Sequence, residues 1–147
     1  MNKRNRLVLI MFVVLAVIGL VDSFVVFEKI SGNIYAPCII GSGCDTVLYS
    51  YYSKFLGVSL SWWGMGFYTL AVVLSSLVLI YGKEIVKKLY FLTITAGFLF
   101  SLHLFYVQVF DIRTLCTYCM ISFSDLLLSV VLMLYQTRFK SKKFAIS

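Results

Sequence analysis

Charge is scarce in this sequence. Asp, Glu, Lys and Arg make up 13% of the 147 residues, against 61% hydrophobic, and the mean hydropathy is +0.97. So few charged side chains cannot clothe a folded domain of this size in water. That excludes an ordinary soluble protein and makes lipid the solvent for most of the chain. Proline is scarcer still, with one residue, and no repeat or low-complexity segment interrupts the chain. A single domain over residues 1–147 is expected. No small-residue cleavage site follows the first apolar run, which argues against a removed signal peptide.

What is present is four long apolar runs. Spanning a hydrocarbon core of about 30 Å takes about 20 apolar residues. Residues 7–27, 62–81, 89–110 and 115–135 meet that length. The formal charge is +7, but its distribution argues against nucleic-acid binding. Lys3, Arg4 and Arg6 precede the first run, Lys83, Lys87 and Lys88 separate the second from the third, and Arg138, Lys140, Lys142 and Lys143 follow the fourth. In a four-span topology these ten of the 13 basic residues share one side, and only Lys29, Lys54 and Arg113 fall on the other. Basic residues mark the cytoplasmic side of membrane proteins. Both termini are therefore expected in the cytoplasm, with the basic patches meeting anionic lipid. The expected setting is the cell membrane.

Two of the three connections are short, at 82–88 inside and 111–114 outside. Short links join antiparallel neighbours, so the sequence predicts an all-α, up-down, four-transmembrane-helix bundle. The outer connection at 28–61 is too long to be a mere link. Its first part, SGNIYAPCIIGSGC, carries three Gly and the one Pro and reads as irregular. Its second part spaces Val47, Leu48, Tyr51, Tyr52 and Phe55 at helical intervals, with Gly57 as a stop. A short amphipathic helix over the outer mouth of the bundle is expected there.

The four cysteines all fall at the outer level: Cys38 and Cys44 in the long loop, Cys116 and Cys119 in LCTYCMIS at the head of the fourth run. That is the side where disulfides persist. Four cysteines allow three pairings. Cys38 and Cys44 enclose a flexible stretch that can close a ring, and Cys116 and Cys119 stand one helical turn apart. The first turn of a helix offers unpaired N–H groups and a positive dipole. Cys116 is placed there, so its thiolate is favoured, and thiolate is the species that attacks disulfides. Cys119 lies one turn deeper, near lipid. A loop dithiol facing water and a helix dithiol facing lipid form a two-step electron relay between the phases. Two other readings compete: structural disulfides that staple the loop, and a zinc site, for which the Cys38–Cys44 spacing is unusual.

These anchors resemble the vitamin K epoxide reductase family, and its bacterial and archaeal thiol-oxidising members in particular. They are Cys38, then CDTVLYSYYSKFLGVSLSWWG at 44–64, then FYVQ at 105–108, then LCTYCMIS at 115–122. In the disulfide-bond B type of bacterial thiol oxidase the two cysteine pairs occur in the opposite order. The resemblance implies that Cys38 and Cys44 exchange electrons with a thioredoxin-like partner. It implies that Cys44 hands them to Cys116 and that Cys119 faces a quinone, whether ubiquinone, menaquinone or vitamin K. It also implies a role for Ser50 near the cysteines and the quinone head group. The partner is expected to be a separate protein, because no thioredoxin-like domain is fused here. One departure is Phe123, where the animal enzymes often carry Tyr. It lacks a hydroxyl for the quinone or its epoxide, which weakens reduction of vitamin K epoxide as the alternative activity.

The remaining polar residues in the spans need assignments. His103 could bond a quinone oxygen or make a hydrogen bond within the bundle. Asp22 and Asp125 are costly in lipid and should face the interior. Asp125 lies below the cysteines, where it could relay a proton, and Asp22 lies near the outer boundary. Trp62 and Trp63 read as interfacial anchors. Gly64 and Gly66 read as sites of close helix packing.

Overall fold

The computed structural model describes residues 3–33 and 43–144. Five α-helices account for most of them: α1 (Lys3–Ile30), α2 (Gly43–Leu48), α3 (Leu60–Tyr81), α4 (Glu84–Val107) and α5 (Thr117–Phe144). A π-helical turn, Gln108–Ile112, extends α4. Four stretches are long and apolar enough to cross a membrane: Arg6–Ile30, Leu60–Tyr81, Glu84–Ile112 and Thr117–Thr137. In lipid a helix is favoured because it satisfies its own backbone donors and acceptors. The expected spans and the all-α bundle are thus found, with the third running several residues further at its start.

The long helices form a closed ring in which α1 touches α3 and α5, and α4 touches α3 and α5. Large apolar side chains such as Leu92, Leu99 and Ile80 point outward, at 64%, 59% and 71% exposure. An outer apolar surface is what a lipid solvent requires. The end of the bundle away from the cysteines is well packed, around Phe12, Ala71, Leu74, Tyr90, Ile94 and Leu126. Gly64 does allow close approach, since a Cβ there would meet Ser23 Oγ of α1 at 2.8 Å. Gly66 does not, because nothing lies within 4 Å of the place its Cβ would take.

The outer loop departs from the predicted amphipathic helix. α2 ends at Leu48, and the chain continues as a 3-10 turn, Tyr51–Ser53, and a two-stranded antiparallel hairpin, β1 (Lys54–Phe55) and β2 (Val58–Ser59). The register pairs Lys54 with Ser59 and Phe55 with Val58. The turn residues Leu56 and Gly57 both have positive φ, at 54° and 79°. Two such residues match the twist of a tight hairpin, and Gly57 makes a reversal there instead of a helix stop. The apolar side chains that mimic helical spacing serve a different surface. Tyr51 is 91% exposed, and Phe55 packs edge-on against Trp63 and Phe100. Cys38 and most of the Gly- and Pro-bearing segment lie outside the described residues.

Candidate active site

The site forms where α2, the head of α5 and the end of α4 meet. Cys116 precedes the first residue of α5, and its carbonyl accepts the N–H of Met120 at 3.0 Å. It therefore occupies the N-cap, a position that prefers a side chain able to accept the orphan N–H groups of the first turn. The Cys116 sulfur does so. The thiol of Cys119 donates to it, and burial opposes the charged form. The N–H groups of Cys119 and Tyr118 add further donation, and together the donors pull the Cys116 thiol down to about 7. The expected thiolate preference of Cys116 follows from this cap.

Gln108 completes the turn. Its Oε1 accepts the Cys116 N–H at 3.0 Å, and its backbone carbonyl accepts the N–H of Thr114 at 3.0 Å. The side chain is 3% exposed and also borders the cavity described below.

Cys44 is the second residue of α2 and lies in one apolar cluster with Cys116, Val47, Leu48 and Tyr118. Both sulfur-bearing residues are fully buried, at 0% exposure. Gly43 makes the approach possible. A Cβ at Gly43 would collide with the Thr114 side chain and meet the Leu115 carbonyl at 3.0 Å. Lys29, at the end of α1, ties the arrangement together. Its Nζ pairs with Asp45 at 3.0 Å and lies 5.8 Å from the Tyr118 ring centroid. The redox states differ between the two elements. Cys44 is engaged in a disulfide, whereas Cys116 and Cys119 are free thiols.

A cavity of about 650 Å³ opens beside this cluster. Its size suits a small-molecule ligand, and its wall is largely apolar, as such sites usually are. Cys119 borders it and Cys116 does not. The two thiols of the CxxC pair thus face different neighbours: Cys116 the loop cysteine, Cys119 the cavity. Asp22, Ser50, Trp63 and Ser122 also border the cavity. On the α3–α4 side its wall includes Phe67, Leu92, Ala96 and Phe100. Leu92 and Phe100 are outward-facing residues, so this wall adjoins the lipid.

The predicted site residues separate into groups. Ser50 borders the cavity, but its hydroxyl donates to the Val47 carbonyl at 2.7 Å, which leaves its oxygen free to accept only. Phe123 is not among the cavity residues; it stacks on Phe105 and Phe98, at centroid distances of 5.1 and 5.9 Å, behind the wall. His103 lies on the exposed face of α4 and does not border the cavity. Trp62 packs edge-on against Phe27 at 5.0 Å. Trp63, read as an anchor, is a cavity residue whose Nε1 donates to the Phe55 carbonyl at 3.2 Å. Asp22 faces the interior as expected, buried and accepting a 2.7 Å bond from Ser122. Sequence reasoning passed over Gln108, Gly43 and Ser122. The signals were a lone amide at the end of an apolar run and a glycine beside a loop cysteine.

A bundle of membrane-crossing helices, a capped reactive thiol, a second thiol bordering an apolar cavity and an oxidised loop cysteine define an integral membrane redox protein working through cysteines. The chain matches the vitamin K epoxide reductase family over residues 10–141, and it belongs to that family. It is accordingly a membrane oxidoreductase of the thiol and quinone type.

Proposed function

We propose that the protein oxidises the dithiol of a thioredoxin-like partner and reduces a quinone, so that disulfides are made outside the cytoplasm. The observation that carries this reading is the division of labour at the CxxC pair: Cys116 packs with Cys44, and Cys119 borders the cavity. The partner reduces the Cys38–Cys44 disulfide by thiol exchange. The Cys44 thiolate then attacks the Cys116 sulfur of an oxidised Cys116–Cys119 pair, and Cys119 leaves as a thiolate. Cys38 resolves the Cys44–Cys116 bond and releases Cys116. The helix dithiol now holds two electrons and the loop pair is oxidised again. The described state, with Cys44 oxidised and Cys116 and Cys119 reduced, matches this point of the cycle.

The cavity fits a quinone ring in size and polarity, with Cys119, Ser122 and Asp22 among its polar points and a lipid-side wall toward α3 and α4. The bound quinone supplies a two-electron acceptor. The protein positions it beside Cys119. Phe123 offers no hydroxyl and is occupied in an aromatic stack, which favours quinone over vitamin K epoxide as the acceptor. The asymmetry of basic residues supports cytoplasmic termini and outward-facing cysteines.

The test uses purified protein, a reduced thioredoxin-like protein, and ubiquinone or menaquinone. One quinol should form for each partner dithiol oxidised. Protein that consumes no quinone, or that carries stoichiometric zinc, overturns the reading.

A further inference from the structure

The electron path occupies the cysteines and leaves two interior carboxyl groups without a task. Asp22 of α1 and Asp125 of α5 are 9% and 7% exposed. Ion pairs among the described residues join Lys29 to Asp45 and Lys87 to Glu84, so neither interior carboxyl has a cation within ion-pair distance. Ionisable side chains in membrane spans are costly and mark functional sites. The two differ in one respect: Asp22 borders the cavity, and Asp125 does not.

Asp22 is held at the level of Cys119. Ser122 follows Cys119 by three residues, on the same face of α5. Its Oγ donates to Asp22 Oδ2 at 2.7 Å across the α1–α5 contact. Ser122 is itself steadied from α3, where the Tyr68 hydroxyl donates to its carbonyl at 3.5 Å. Cys119, Ser122 and Asp22 all border the cavity. Among the described residues Asp22 is its only carboxyl, and apart from Cys119 and the phenols no other described bordering side chain has an ionisable proton to give. Reducing a quinone takes two protons as well as two electrons. Cys119 faces the cavity for the electrons, and Asp22 faces it for a proton.

We propose that Asp22 is the catalytic acid for the quinone reduced by Cys119, with Ser122 as its positioning residue. This inference rests on the thiol:quinone reading above. The balance closes within the site. Counted from the dithiol with both sulfurs protonated, the S–H bonds of Cys116 and Cys119 break, the S–S bond forms, and two electrons pass to the quinone ring. The Asp22 O–H bond breaks as its proton goes to the nearer ring oxygen. Asp22 then takes back one of the two protons released by the dithiol, and the other reaches the second ring oxygen. The carboxyl ends as it began, and no proton is drawn from water. The titratable groups facing Asp22 are Tyr68 from α3, and Cys116, Cys119 and Asp125 from α5.

The experiment is single-turnover oxidation of the fully reduced, full-length protein by a short-chain benzoquinone, followed by quinol formation. It is paired with infrared difference spectra of the quinone-free protein between its dithiol and disulfide states. General acid catalysis contributes typically 10²–10⁴-fold. Asp22→Asn keeps the shape and the acceptor for Ser122 but carries no acidic proton, and should slow quinol formation by about 100-fold or more. Asp22→Glu should recover most of the rate. Asp22 is protonated in both states, so the wild-type difference spectrum should carry a shifted pair of carboxyl C=O bands as Cys119 beside it changes from thiol to disulfide, and Asp22→Asn should remove that pair. An Asn variant as fast as wild type overturns the proposal, as does a wild-type spectrum without that pair. If Asp22→Asn does not fold, Ser122→Ala decides: slowing by several-fold supports the role, and an unchanged rate overturns it. Wild-type protein that reduces no quinone overturns the parent reading instead, while the infrared bands still report whether Asp22 is a protonated carboxyl that senses the redox state of the dithiol.

Discussion

Gly43 lies so close against Thr114 that a single methyl group on it would collide with the threonine side chain. This contact seats the loop helix on the chain just before Cys116 and puts Cys44 and Cys116 in one buried cluster. Gly43→Ala should therefore act on the relay. Overpacking a tight contact costs typically about 1–3 kcal/mol. Here that cost would push α2 away from α5. Transfer of electrons from the loop pair to the helix pair should slow by at least about tenfold, while quinone oxidation of a chemically reduced Cys116–Cys119 pair should persist. Rapid-quench thiol trapping separates the two steps.

The cap on Cys116 predicts a pH dependence with a definite sign. Its folded value, about 7, lies below the ordinary thiol value of about 8.5. Donation from Cys119 is the largest cause, so Cys119→Ala should move it upward. The thiolate fraction should rise through pH 7 in wild-type protein and at higher pH in the variant, read from ultraviolet thiolate absorbance. The same sign governs stability. The contribution is fully present above the unfolded value and is lost as pH falls through about 7.

Gln108 has an equally local task. Replacing it with Leu removes the acceptor for the buried Cys116 N–H. An unsatisfied buried donor costs about 1–3 kcal/mol. Gln108→Leu should lower the midpoint of thermal unfolding and loosen the first turn of α5. Hydrogen exchange at the amides of residues 116–119 should quicken, whereas Gln108→Glu, which keeps an acceptor, should leave them protected.

Ser50 should matter less than a residue giving its proton to substrate. Its hydroxyl donates to Val47, so Ser50→Ala loses one neutral hydrogen bond, about 0.5–1.5 kcal/mol, at the cavity edge. A fall in quinone turnover of roughly two- to tenfold is expected, carried mainly by KM.

Sequence made the membrane spans legible because lipid imposes one requirement, about 20 apolar residues without interruption. It located the helix boundary that activates Cys116 for a related reason, since apolar periodicity begins there. The surface helix was over-extended. Val47, Leu48, Tyr51, Tyr52 and Phe55 fit a helical period, but that period does not reveal a chain that reverses at Leu56 and Gly57. The faces of Asp22 and Asp125 were legible, because the cost of a carboxyl in lipid turns both inward. The face of His103 was not: it points out of the bundle, and a lone imidazole in an apolar run does not reveal that. The partner that holds Asp22 is Ser122, 100 residues away in the chain, and no local pattern links them.

The central claim is the order of the relay: Cys44 to Cys116, then Cys119 to the quinone. Its most direct test is the Cys119→Ser variant with its loop pair oxidised, digested without reduction for mass spectrometry. The Cys116 thiolate can attack Cys44 of the loop disulfide and displace Cys38, and with Cys119 gone no Cys116–Cys119 bond can form to release Cys116. A Cys44–Cys116 bridge should accumulate and quinol formation should cease. A Cys38–Cys116 bridge with Cys44 free, or continued reduction of quinone, would contradict the account.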